Sequence, residues 1–180
     1  MEPLQLNKSI SIWRYLFLIS LLLGLSNCSK PFFKNELSQI LGVDKIEIKD
    51  VHIVTDEFAG FGKSYSMEIY DLSDNTIYTF INEPSKQLPD KKEIGKKWQK
   101  HLWSETAVDS GYNEIFGMAL NYYNGDKKLE NQLNEIKQLL GKTGVYYSFY
   151  YYPNKDNPNH VQLFVLDTEM KKFYAIDSCI

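Results

Sequence analysis

Arginine is all but missing from this 180-residue chain; the single one is Arg14. Beyond residue 27 every basic side chain is a lysine, so that region has no planar guanidinium fork for a carboxylate, a phosphate or a developing oxyanion. A dense basic surface is also missing. The chain sets 20 Lys+Arg against 23 Asp+Glu, with no long run of one sign. That balance argues against a nucleic-acid partner, because phosphate binding needs concentrated positive charge. Cysteine occurs twice, as Cys28 and Cys179. No apolar run reaches membrane-spanning length. The longest, counted generously over residues 10–25, has 16 residues, where a spanning helix needs about 20.

The short run is informative in its setting. Lys8 and Arg14 make the region before it basic, with Glu2 the only acid. Leu16, Phe17, Leu18, Ile19, Leu21, Leu22 and Leu23 follow, broken by Ser20 and Gly24. Basic start, short apolar centre and small residues at its end are the three parts of a secretory leader, and favour a cleaved segment over a permanent transmembrane helix.

Leu25-Ser26-Asn27-Cys28 closes the leader. It resembles the lipobox of bacterial lipoproteins, Leu-(Ala/Ser)-(Gly/Ala)-Cys. Leu25, Ser26 and Cys28 match, and Asn27 stands where a smaller residue is usual. The resemblance implies that residues 1–27 are a lipoprotein signal peptide and that Cys28 becomes the mature N-terminus. Its sulfur would then carry a diacylglyceryl group, with palmitate-class acyl chains as the membrane partner. Each buried methylene contributes about 0.8 kcal/mol, so two or three chains anchor where one is marginal. Ser29 follows the cysteine where Asp does not, which by analogy permits an outer membrane or cell surface in a two-membrane cell. The alternative for Cys28 is a buried or disulfide-bonded thiol. With Cys28 lipidated, Cys179 is an odd thiol, open to intermolecular pairing or redox sensing but more simply an inert near-terminal residue.

Residues 28–180 hold 18 Lys against 22 Asp+Glu, a net charge of −4. Their 153 residues suit one domain with a proper core. Apolar spacing at Phe33, Leu37, Ile40 and Leu41 predicts a short helix over 32–41, stopped by Gly42, that either lies against the domain or holds it off the membrane. A strand over 45–54 and a hairpin over 64–82 follow, with Ile77 to Ile81 as its return strand. Asp90 and Glu93 have capping-box spacing, predicting a helix whose face is Ile94, Trp98 and Leu102. Helices over 112–123 and 127–140 come next, then strands over 145–152, 161–165 and 173–176. The expected organisation is a lipidated N-terminus and short helix over 28–44, then a single α+β domain over 45–180. Its sheet is antiparallel, of about six strands, with helices packed on one face.

No motif names a chemistry. Gly62-Lys63-Ser64 lacks the earlier glycine of a phosphate loop, since Glu57 stands there, and it leads into a strand instead of a helix. His52, His101 and His160 have no metal-ligand spacing, although they could meet Asp56 or Glu57 in space. There is no Gly-x-Ser-x-Gly elbow. Glu105, Asp109 and Glu114 could pair as acid and base only if folding brings them together. No cofactor, catalytic or metal site is assigned.

The most unusual stretch is Tyr146-Tyr147-Ser148-Phe149-Tyr150-Tyr151-Tyr152. On a strand, Tyr146, Ser148, Tyr150 and Tyr152 share one face, and Tyr147, Phe149 and Tyr151 the other. Two readings stand: a central strand covered on both sides, or an exposed aromatic platform for a glycan or protein. The candidate binding surface is Tyr146, Tyr147, Phe149, Tyr150, Tyr151 and Tyr152. The segment from Leu163 to Thr168 with Phe173, Tyr174 and Asp177 also resembles the closing hairpin of small exported bacterial proteins, and implies no functional residue. The leading expectation is a lipid-anchored, non-catalytic binding domain of the cell envelope. An envelope hydrolase is the rival, and an inhibitor or immunity-type lipoprotein using the polar loop from Pro153 to Asn159 is the third reading.

Overall fold

The structure, a computed structural model, describes residues 34–60, 63–83 and 86–180. The leader and Cys28 lie outside the described residues, as do Phe61 and Gly62.

The sheet has six strands, all paired antiparallel, in the order β1-β2-β6-β5-β4-β3. They are β1 (Ile48–Gly60), β2 (Lys63–Leu72), β3 (Gln99–Glu105), β4 (Val145–Tyr152), β5 (His160–Asp167) and β6 (Lys172–Cys179). The helices are α1 (Lys34–Leu41), α2 (Asp74–Asn82), α3 (Asn113–Leu120) and α4 (Lys127–Leu139). The fold is therefore α+β on a six-stranded antiparallel sheet.

The helices do not share one face. α3 and α4 bury Ile115, Ala119, Leu120, Leu129, Leu133 and Ile136 against Tyr65, Met67, Val161, Leu163, Val165, Tyr174 and Ile176. On the opposite face, α1 and α2 bury Leu37, Ile40, Leu41, Ile77 and Phe80 against Tyr70, Leu72, Phe164, Leu166, Phe173 and Ala175. The reason lies in the strands: the central runs of β5 and β6, Leu163 to Leu166 and Phe173 to Ile176, are apolar on both faces, which calls for cover on both sides. α1 lies against the domain and joins this core through Leu37, Ile40 and Leu41. Gly42 ends the helix at a φ of 67°, a left-handed value that glycine takes without strain.

Two expected elements exchange type. Residues 77–81 are not a return strand. Ser73 caps α2, its hydroxyl accepting from the Thr76 N–H at 3.1 Å, and β-branched Thr76 and Ile77 join Phe80 on a buried helical face. Residues 90–102 are not a helix. Asp90 pairs with Lys100 at 2.7 Å, Ile94 is fully exposed, and 99–105 forms β3 against the aromatic β4. Pairing with a buried tyrosine-rich neighbour outweighs the local helical preference of the lysine-rich segment. The two exchanges cancel in the strand count.

Candidate functional site

The tyrosine run is not a platform. β4 lies between β3 and β5, and Tyr147, Phe149, Tyr150 and Tyr151 are all buried. Tyr146 and Tyr152 are half-buried. On one face Tyr147 and Phe149 meet His101, Phe116 and Tyr112. On the other, Phe80 meets Tyr146 edge-on at 5.3 Å and Trp98 approaches Tyr150 and Tyr152. The hydroxyl of Tyr150 donates to the Pro89 carbonyl at 2.7 Å. These rings build the core, the first of the two readings.

An open groove of about 550 Å³ lies instead where α3 ends, beside the β4–β5 loop. One wall is α3, with Glu114, Gly117, Met118 and Asn121; next to it stand Tyr122 and Tyr123. The other wall is the loop, with Asp156, Asn157 and Pro158, and Ser178 and Ile180 of the β6 end complete it. Two hydroxyls tie α3 to the sheet beneath: Tyr65 donates to the Ala119 carbonyl at 2.7 Å, and Ser178 to the Met118 carbonyl at 3.3 Å. The loop is shaped by Asn154, whose side-chain oxygen accepts from the N–H groups of Asp156 and Asn157 at 3.1 and 2.9 Å.

Tyr122 is fixed and Tyr123 is offered. Tyr122 stacks on Tyr65 with centroids 4.0 Å apart and planes 3° from parallel. Its hydroxyl donates to Glu57 Oε2 at 2.7 Å, while Thr55 and Asn124 donate to the other oxygen of that carboxylate. The Tyr122 hydrogen bond, with smaller help from Thr55 and Asn124, holds the Glu57 carboxyl below its ordinary value. Tyr123 is 75% exposed. Gly117 faces the groove from inside α3, and a Cβ there would meet only Asn121 Nδ2, at an ordinary 3.6 Å. Among the described residues nothing crowds that position, yet glycine in a helix interior costs about 0.5–1 kcal/mol relative to alanine. Among the described residues the groove lining carries the side-chain carboxylates of Glu114 and Asp156 and no lysine.

A second constellation lies on the other face of the same sheet end. His160 Nε2 sits 2.6 Å from Asp177 Oδ1, the Gln162 amide donates to Asp177 Oδ2, and Lys91 Nζ donates to Gln162 Oε1 at 2.6 Å. Lys91 also stands 4.0 Å from the centre of the Trp98 ring, a cation–π contact. Burial raises the Asp177 carboxyl, but hydrogen bonds from His160 and Gln162 and the charge of Lys91 outweigh it, so the net direction is down. Burial likewise lowers the Lys91 ammonium, partly offset by Asp177 and Glu93. Cys179 pairs with His160 in the β5–β6 register. Burial pushes its thiol up, the wrong direction for a thiolate nucleophile. The network pins the irregular segment that carries Lys91 and Trp98 onto the sheet.

The remaining candidates scatter. His52 neighbours Asp50 and Asp71. His101 is half-buried in the aromatic stack. Glu105 accepts from the Gly144 N–H at 3.0 Å, Asp109 caps the turn at Gly111, and only Glu114 reaches the groove. The sequence pattern marks Tyr122, Tyr123 and Asn121 for no function, and a glycine at 117 inside a segment of helical spacing is the one anomaly there. That anomaly was the available signal. Among the described residues no helix is long and apolar enough to cross a membrane. Set against family models, curated proteins and solved structures, the chain matches none of them.

Proposed function

We propose that this is a lipid-anchored binding domain of the cell envelope, and that the groove between α3 and the β4–β5 loop takes a hydroxyl-rich ligand of the glycan class. The anchor rests on the lipobox resemblance at Leu25 to Cys28 and the leader before it. Residues 29–33 separate Cys28 from α1. Even fully extended, such a segment spans only about 20 Å, which keeps the domain close to the bilayer.

The bare helix face at Gly117 carries the groove reading. α3 gives up helix stability where no atom of the described residues requires it, and the space faces a cleft lined by Tyr123, Asn121, Asn157, Glu114 and Asp156. An aromatic face with carboxamides and carboxylates suits a sugar: the ring covers its apolar side while the polar groups meet its hydroxyls. The lack of a lysine in the lining disfavours anionic ligands.

Two experiments test the two parts. Metabolic acyl labelling should mark the wild-type protein and fail on Cys28→Ala; unchanged membrane retention of that variant rejects the anchor. Titration with purified envelope glycan fragments should show binding that Tyr123→Ala weakens by about 1 kcal/mol or more; equal binding by wild type and variant rejects the groove.

A hydrolase remains the second reading because Glu114 and Asp156 line the same groove, and glycoside hydrolysis uses two carboxylates. Release of shortened glycans by wild type but not by Glu114→Gln would establish it, and intact glycans after prolonged incubation with wild type would reject it.

A further inference from the structure

The far edge of the sheet brings together a histidine and two carboxylates that neither the core nor the groove uses. The β1–β2 register shifts between Ile48 and Asp50: Ile48 pairs with Leu72 and Asp50 with Asp71, leaving Lys49 as the extra residue. Regular pairing would have set Asp50 against Tyr70, on the other face. The bulge turns Asp50 to the face of Asp71, and His52, paired with Ile69, shares that face.

Like charges placed directly opposite one another in a sheet are destabilising, so this bulge creates a repulsion that an unbroken ladder would avoid. Nearby lysines relieve it only in part. Lys49 and Lys171 both pair with Asp74, at 3.7 and 2.5 Å, and Lys172 is Asp71's register partner on β6. The third group is an imidazole. His52 Nε2 lies 3.2 Å from Asp50 Oδ2 and 3.8 Å from Asp71 Oδ2, and the three groups' donor atoms all fall within 4.8 Å of one another. Asp50 is oriented by its other oxygen, which accepts from the Val51 N–H at 2.8 Å.

We infer that Asp50, His52 and Asp71 form a binding site for a borderline divalent cation of the zinc class. Ligand bonds of about 2.0–2.2 Å around one ion place donors roughly 3.4 Å apart. The two distances from His52 bracket that value, and the exposed side-chain tips can close the third by rotation. One imidazole with two carboxylates selects zinc-like ions over calcium or magnesium, which take all-oxygen shells. Three protein ligands leave the remaining positions to water or an incoming group. The site is independent of the groove.

The test uses the full-length protein in detergent, without a histidine tag, titrated with Zn²⁺ alone and followed by calorimetry and thermal melting. Wild type is expected to bind one ion and to melt at a higher temperature with Zn²⁺ present. His52→Ala and Asp71→Asn should each lose at least about tenfold in affinity together with that melting shift, while His160→Ala keeps both. All three ligands are at least one-third exposed, so metal-free melting of each variant should stay near wild type and confirm folding. Undiminished binding in His52→Ala, loss of binding in His160→Ala, or no resolvable binding by wild type would each overturn the proposal.

Discussion

Trp103 shows how a single side chain closes the core over α1. Its indole N–H donates to the Ile40 carbonyl at 2.7 Å, satisfying a group at the helix C-terminus that has no partner within the helix. Trp103→Phe keeps most of the ring and removes the donor. It is expected to cost about 1–3 kcal/mol, the penalty for a buried acceptor left unmade, measured by urea unfolding. His101 gives a pH signature. It packs against Tyr147 and Phe149 with ring planes within 17° of parallel, and its Nδ1 has no partner among the described residues. Burial lowers its pKa from the ordinary 6.5, with a backbone hydrogen bond at Leu102 and the charge of Asp109 opposing. The folded protein thus binds fewer protons than the unfolded chain below that value, so stability falls as pH drops through 6.5. In His101→Phe this part of the pH dependence should vanish from melting curves. Neither partnership was legible in the sequence, because Ile40 and Trp103 are 63 residues apart and His101 fell in a segment expected to be helical.

Helix α2 exposes the limit of reading periodicity over short segments. Thr76, Ile77, Thr79 and Ile81 have the β-branched character of a strand, and what decides otherwise is one cap. Ser73 accepts from the Thr76 N–H, and the Thr76 hydroxyl accepts from the Glu47 N–H at 2.9 Å, joining the helix start to the chain before β1. Ser73→Ala is expected to cost about 1 kcal/mol by chemical denaturation. Where spacing was sustained, as in α4 with Leu129, Leu133 and Ile136, or in β4 to β6, sequence and structure agree. The groove was not legible because its walls come from three separated segments. On α3, Gly117→Ala should raise stability by about 0.5–1 kcal/mol in the same assay. If the groove binds a glycan, the same change should weaken that binding, a trade that a purely structural glycine would not show.

For the molecule as a whole, the two faces of the sheet are held differently. The α3–α4 face is an apolar layer tied to its helices by the hydroxyls of Tyr65, Ser178 and Tyr174, whereas the opposite face is closed at one end by the ion-pair network of Lys91, Gln162, Asp177 and His160. Because Asp177 is net lowered in the fold, its contribution is present near neutrality and lost as pH falls from the ordinary 3.8 through its folded value. Asp177→Asn should make the acid limb of the melting temperature shallower. The rims of the sheet carry a further consequence. Its outer strands, β1 and β3, both break register: β1 at three points along β2, and β3 between His101 and Ser104. An uneven margin is a poor template for a neighbour's backbone. On the proposed anchor, confinement to two dimensions would make copies meet far more often than in a volume, and ragged borders would let them crowd together without zipping into fibres.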